Sequence, residues 1–371
     1  RQMVLLLEHL DRTRFAPTLC LLQADGEFRG DVPADVSVID LDKRSAADAP
    51  RLVARLGAVL RRRTPDVVLA KVDYANIIAA LADRLSGTTT PLVLGEESVQ
   101  SAALADASHA GLRRASLRWA YGRATVVTAP TPGVVSDLVG ELAVVGATFA
   151  VIPNMFDLEA IELAAAEPAP HAFTASRLPL LVAAGRLTPA KGQDDLLIAL
   201  ERLNRARPTN LLVLGSGPDL ERLERLAAAL GIAARVSFTG FVTNPYALMR
   251  QADAFVSPSH VESFGNVIVE AIAAGAPVVA TRVPCGPETI IADRETGVFA
   301  RARDPADLAA RIESVLADPA GARAMAARAR ATVGRYDVSV VVGEYEALLE
   351  GTAGGGSPGN RKYPSLGAHR S

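Results

Sequence analysis

Cysteine is nearly absent: Cys20 and Cys285 are the two thiols in 371 residues. Two cysteines give no disulfide framework and lack the spacing of a zinc site, so a reducing cytoplasm is the expected compartment. Long apolar runs are missing as well. The nearest approach, Ala124 to Pro153, is broken by Pro130, Pro132, Asp137 and Glu141, and nothing in it suits a membrane span. No signal peptide is visible. Charge of one sign is not in excess; a net charge of −2 gives no overall pull towards nucleic acid.

What is present is the balance of a globular protein, with 49% apolar and 22% charged residues. The length exceeds one ordinary core and implies two domains. Short apolar runs alternate with amphipathic helical segments almost throughout. Expected strands are Thr18–Leu22, Val36–Asp40, Val67–Ala70, Leu92–Leu94, Thr125–Thr128 and Thr148–Ile152. A second series is Leu180–Ala184, Asn210–Leu214, Val236–Thr239, Ala254–Ser257, Pro277–Thr281 and Gly297–Ala300. Helices such as Ala49–Arg63, Gln193–Arg205 and Asp219–Leu230 separate them. The fold class is therefore α/β: two Rossmann-like, doubly wound domains with parallel sheets covered on both faces.

The expected domains are 1–163, a linker at 164–179 rich in Ala, Pro and Glu, and 180–334. A C-terminal helix at 335–350 and a disordered tail at 351–371 follow. Arg1 to Leu10 reads as an amphipathic helix with no strand and Gly-rich turn before it, so the first domain reads as lacking its first strand.

Chemistry concentrates on three loops of the second series. Ser257 ends a strand, Glu262 sits on the loop after it, and a helix should run from near Gly265 to about Gly275, stopped by Pro277. Its N-terminus offers unpaired N–H groups and a partial positive charge to a phosphate. Glu270 lies about 8 Å along that helix, by a rise of ~1.5 Å per residue. The second loop, Gly185-Arg186-Leu-Thr-Pro-Ala-Lys191, sets two cations before a helix, which suits a diphosphate leaving group. The third, Gly215-Ser-Gly217-Pro218, is a tight turn that allows close backbone approach to a ligand.

In order and spacing, Gly185-Arg186…Lys191-Gly192, Gly215-Ser-Gly217-Pro218, Gly240-Phe-Val242 and Glu262-Ser-Phe-Gly-Asn-Val-Ile-Val-Glu270 resemble the family 4 retaining glycosyltransferases of the GT-B fold. The resemblance spans Arg1 to Glu350. It is strong from Leu180 to Ala300 and diffuse before Val151. It implies catalytic roles for Arg186 and Lys191, on the donor diphosphate, and for Glu262, on a hydroxyl of the donor sugar. Glu270 would hold the ribose hydroxyls. The backbone of Phe264, Gly265, Asn266 and Val267 would meet sugar and phosphate, and Gly215, Gly217, Pro218 and Val242 would lie near the base. Asn154, in Ile-Pro-Asn-Met-Phe-Asp157, matches the family's cleft signature, and Arg335 to Tyr345 its returning C-terminal helix.

Two departures stand out. The family's N-terminal Gly-rich loop has no counterpart in this chain. The cleft histidine that many relatives carry is replaced by Val93-Leu94-Gly95-Glu96-Glu97, with Glu97 the expected substitute.

Other groups read as structural. Asp40-Leu41-Asp42 superficially resembles the metal-binding carboxylates of the other glycosyltransferase fold, but sits in the wrong domain. His260 and His109 have no partner at metal spacing and read as polar loop or helix residues. Ala107 to Ser136 carries no carboxylate, while Arg113, Arg114, Arg118 and Arg123 accompany Trp119 and Tyr121. On a helix Leu112, Ala115 and Trp119 share one face and Arg114, Arg118 and Tyr121 another. This is either a core-facing helix with a basic exterior or a peripheral membrane contact at the inner face of the membrane.

The expectation is a metal-independent, cofactor-free glycosyltransferase. It would move a hexose or N-acetylhexosamine from a nucleoside diphosphate donor, UDP before GDP, to a hydroxyl of a glycan or lipid-linked sugar. A sugar-nucleotide epimerase of the same fold and a non-catalytic donor-binding relic remain the alternatives. No Gly-x-Gly-x-x-Gly precedes a helix and a suitably placed acid, which argues against a nicotinamide oxidoreductase.

Overall fold

Among the described residues twelve strands form, each within a residue or so of an expected one: β1 Thr18–Leu21, β2 Ser37–Asp40, β3 Val68–Lys71, β4 Leu92–Gly95, β5 Val126–Ala129, β6 Phe149–Val151, β7 Leu180–Ala184, β8 Asn210–Leu214, β9 Val236–Gly240, β10 Ala254–Ser257, β11 Val278–Arg282 and β12 Val298–Arg301. The computed structural model describes residues 1–355 apart from Asp25 and Asp106. The chain folds as two units, one of Arg1–Pro153 with the chain from Ser339 onward, the other Asn154–Val338. The helix Leu158–Ala165 and the stretch up to β7, read above as domain end and linker, belong to the second unit. Ala169 and Phe173 pack on its core.

The second unit is one six-stranded parallel sheet in the order β12-β11-β10-β7-β8-β9. Strand alternation supplies both its faces. Leu180, Val182, Leu212, Leu214, Phe255, Val278 and Ala280 point to one apolar cluster. Leu181, Ala183, Leu211, Val213, Ala254, Val256 and Val279 point to the other. Such strands need apolar residues at every position, which is why they read as unbroken runs. Strand order reverses between β7 and β10, the place where loops leave in opposite directions and open a crevice.

In the first unit, β3-β4-β5-β6 form one parallel sheet, and β1-β2 pair separately. Helix Ala49–Arg63 shows why such segments are helical. Pro50 opens it, Arg61, Arg62 and Arg63 face the negative end of its dipole, and Leu52, Val53, Leu56 and Leu60 make a buried stripe. The helix Val338–Ala353 returns to this unit, where Arg14 bridges Glu346 at 2.7 Å and Glu350 at 2.6 Å. That helix runs three residues into the expected tail; 356–371 lie outside the described residues.

Candidate functional site

The loops after β7 and β10, adjacent at the reversal, are fastened to each other. His260 N–H donates to the Ala190 carbonyl at 2.8 Å. Lys191 Nζ donates to Glu262 Oε2 at 2.6 Å, and Ser259 Oγ to the same oxygen at 3.2 Å. The Thr281 hydroxyl donates to the Ser259 carbonyl at 2.5 Å and the Ser257 carbonyl at 3.3 Å, bracing the loop from β11. Gly192, at φ +65°, sits so close that a Cβ would lie 2.1 Å from the Pro258 oxygen, so no other residue fits.

From that second loop rises the helix Asn266–Ala274, between Gly265 at φ +108° and Gly275 at φ +93°. Both glycines take the left-handed conformation that helix ends here require. No side chain caps its start, and the first amides of a helix have no intrahelical acceptor. Glu270 is half-buried, one turn on from Asn266. Arg186 is exposed and makes no ion pair among the described residues. Lys191, Glu262, Arg186 and the uncapped helix start thus share the carboxyl end of one sheet.

Several expected residues anchor this frame through the core. Phe264 is 2% exposed, stacked on Phe156 at 6.3 Å and edge-on to Tyr336 at 5.3 Å. Asn154 Nδ2 donates to Asn266 Oδ1 at 2.8 Å, while Val242 and Val267 pack partly buried against the same cluster. Gly215 and Gly217 serve each other's neighbours. A Cβ on Gly215, at φ +131°, would lie 2.1 Å from the Gly185 oxygen, and one on Gly217 2.3 Å from the Leu187 oxygen. These glycines thus let the turn approach the adjacent loop closely. Pro218 is exposed on the turn.

His260 sits on the loop after β10, as its sequence reading has it, and has a side-chain partner. Its Nε2 lies 2.8 Å from Asp195 Oδ2. His109 opens helix Ala110–Tyr121 in the left-handed region. Asp42 holds Arg44, Arg51 and Arg55, the structural role expected for Asp40-Leu41-Asp42.

In the first unit the two glutamates after β4 diverge. Glu97 Oε1 meets Lys71 Nζ at 2.8 Å, so it is a paired carboxylate. Burial pulls the Lys71 pKa down, but Tyr345 and Glu97 outweigh it and hold the pKa above the ordinary lysine value. Glu96, 1% exposed, accepts from the Tyr121 hydroxyl at 2.5 Å, Gln100 Nε2 at 2.8 Å and Ser98 N–H at 2.7 Å. Burial pushes its pKa up to about 7. Lys71, Glu96 and Asp195 escaped the sequence reading. The alternation of a strand says that successive side chains part, not which one turns inward.

Tyr121 also overturns the expected faces of its helix. With Leu117 and Ala120 it is the buried side, while Leu112 and Trp119 are 70% and 39% exposed. The Tyr121 hydroxyl is drawn inward by buried Glu96. Trp119 instead edges a surface hollow of about 320 Å³ with Ile77, Leu81 and Ala115. A larger cleft of about 780 Å³, near Arg250, Asp253 and Arg330, lies at the amino ends of β7, β10 and β11, away from every group above. Arg250 and Arg330 each sit in the last turn of a helix, where cations complement the dipole.

With this geometry in place, residues 171–332 match the model of glycosyl transferases group 1, and residues 1–160 that of glycosyltransferase family 4. The chain belongs to the family 4 glycosyltransferases. Within it, 157 residues are 43% identical to a glycogen synthase of Mycobacterium tuberculosis, covering 41% of this chain and 38% of that protein. Over 162 residues it is 40% identical to a GDP-mannose-dependent alpha-(1-6)-phosphatidylinositol monomannoside mannosyltransferase of Mycolicibacterium smegmatis, covering 41% and 42%. The matched stretches thus span under half the length of those two relatives. The crystal structure of Anabaena HepE in complex with UDP superimposes with a TM-score of 0.76 at 23% identity, over 94% of this chain and 95% of that one. That likeness shows the fold: this family 4 glycosyltransferase has two Rossmann-like domains.

Proposed function

We propose that this chain transfers a hexose or N-acetylhexosamine from a nucleoside diphosphate sugar to a hydroxyl acceptor, with retention of configuration and without a metal. The observation that carries the reading is the Lys191–Glu262 pair at 2.6 Å, set beside an uncapped helix start, with exposed Arg186 on the same loop as Lys191. In use, Lys191, Arg186 and the helix amides neutralise the diphosphate as the glycosidic bond breaks and charge gathers on the leaving nucleotide. Glu262 accepts from a sugar hydroxyl and Glu270 from the ribose. Within the second unit, Asn154 supports the helix start through Asn266; within the first, Glu97 is the carboxylate offered to an acceptor. Retention rests on the family resemblance. UDP is the preferred nucleotide, supported by HepE's complex with UDP; GDP follows, since a relative is named as GDP-mannose-dependent.

The acceptor is a glycan or lipid-linked sugar, reached by a peripheral contact of helix Ala110–Tyr121 with the inner face of a membrane. Exposed Leu112 and Trp119, with Arg113, Arg114 and Arg118 beside them and no carboxylate on that helix, support it. No helix among the described residues is long and apolar enough to cross a membrane.

A thermal-shift panel of UDP-, GDP- and ADP-sugars tests the donor reading, because a ligand that binds the folded state alone raises apparent stability. One nucleotide should stand out. A released glycoside rather than an epimerised nucleotide sugar separates transfer from epimerisation, and binding without any product marks a donor-binding relic.

A further inference from the structure

Asp195 and His260 make a side-chain bridge between the two donor loops that involves none of the groups assigned to the donor. Asp195 stands in the first turn of helix Gln193–Asn204, directly after the loop that carries Lys191. The two side chains are 12% and 16% exposed, His260 and Asp195 respectively. His260 therefore grips the first loop on both sides of Lys191, by its backbone at Ala190 and by its ring at Asp195. Two residues further on, Glu262 receives the lysine itself. Neighbouring Asp194 does not compete for the imidazole, because Arg222 engages it at 2.6 Å. The loops have no slack between them, since a Cβ on Gly192 would meet both the Pro258 oxygen and His260 Nε2.

In the free protein, Lys191–Glu262 also ties the loops. That tie is temporary under the donor reading on which this inference rests. A bound diphosphate draws the ammonium towards phosphate, and a sugar hydroxyl draws the carboxylate, so their mutual hydrogen bond weakens when register matters most. A contact outside the ligand must then hold the loops. We propose that His260, braced by Asp195, is a positioning residue that keeps Lys191 and Glu262 in register while the donor separates them.

The groups held this way face the second phosphate and the sugar. Glu270, assigned to the ribose, and the helix start, assigned to the diphosphate, are held by the core instead. This gives a readout that loss of general stability would not produce. Calorimetry with UDP, GDP and ADP first identifies the nucleoside diphosphate that binds. Its Kd is then compared with that of the matching monophosphate for the wild type, His260→Ala and His260→Gln. Loss of one hydrogen bond to a charged partner should weaken diphosphate binding about tenfold in His260→Ala and leave the monophosphate within about twofold. Glutamine, whose amide can donate to Asp195, should restore most of the loss. If His260→Ala does not fold, His260→Gln with Asp195→Ala as its partner variant carries the same comparison. Equal weakening of mono- and diphosphate, or diphosphate binding unchanged in His260→Ala, overturns the proposal while leaving the donor reading intact. A wild type that binds none of the three nucleotides overturns both.

Discussion

Lys191 Nζ lies 2.6 Å from Glu262 Oε2, and this contact spans the point where the strand order of the second sheet reverses. Glu262 is 12% exposed and Lys191 28%, so the two charges are partly desolvated and oriented before any ligand arrives. Under the proposed donor role, binding is an exchange of partners between charge-assisted hydrogen bonds, each of about 1.5–3 kcal/mol. Little reorganisation is left for the moment of reaction, the condition under which fixed charges stabilise a transition state best.

Metal should be dispensable for donor binding. Arg186, Lys191 and the start of helix Asn266–Ala274 bring positive potential to the diphosphate position. We predict that the Kd for the preferred nucleoside diphosphate is the same with and without a chelator. A loss on chelation, restored by magnesium or manganese, would mean that the charge balance of the site is misread.

The turn glycines should matter for folding. Gly215→Ala must push a methyl into the Gly185 carbonyl and hold alanine at φ +131°. Strain and overpacking of this kind cost about 1–3 kcal/mol. Denaturant unfolding of the second unit should show that loss, and a loss near zero would show that the loops can part freely.

Stability of the first unit should fall as pH rises. Glu96 has a folded pKa near 7 against an ordinary value of 4.5, so its neutral form is favoured by folding. Its contribution is complete below pH 4.5 and is lost as pH rises through 7, an effect of about 3 kcal/mol at ~1.4 kcal/mol per unit. Glu96→Gln should flatten this slope between pH 5 and 8 and be the more stable protein at pH 8. An unchanged slope would place the titrating group elsewhere.

The strands of the described residues were legible because parallel strands are short apolar runs set off by turns, most clearly where they are fully buried, as in β4, β5, β8 and β10. The donor loops were legible because Gly, Arg, Lys and Glu occur there at fixed spacings. The helix around Trp119 was misread because both of its sides carry large apolar residues. Which side is buried is decided by Glu96, a partner on another element that periodicity cannot show. For the same reason His260 had no visible partner: Asp195 is 65 residues away in the chain. The turn glycines also pack against other backbone, a neighbour that their sequence signature does not reveal.

Membrane contact has its own test. Arg113 and Arg114 are engaged by Asp73 and by the Glu141 carbonyl, whereas Arg118 makes no ion pair among the described residues. Each basic residue near an anionic surface contributes about 1 kcal/mol, so Arg118→Glu with Trp119→Ala should weaken binding to anionic vesicles at least about tenfold. Sedimentation with phosphatidylglycerol vesicles checks it. Binding that ignores both the substitutions and the vesicle charge would remove this surface from consideration.

The most direct test is calorimetric titration of the preferred nucleoside diphosphate into the wild type, Glu270→Ala and Glu262→Ala. Glu270 is assigned to the ribose, so its removal should cost about 1.5–3 kcal/mol of nucleotide affinity. Glu262, assigned to the sugar, should leave nucleoside diphosphate affinity nearly unchanged when removed, while the affinity for the nucleotide sugar falls. Equal losses of nucleoside diphosphate affinity in both variants, or no binding to the wild type by any of UDP, GDP and ADP, would contradict the assignment of this site to a nucleotide-sugar donor.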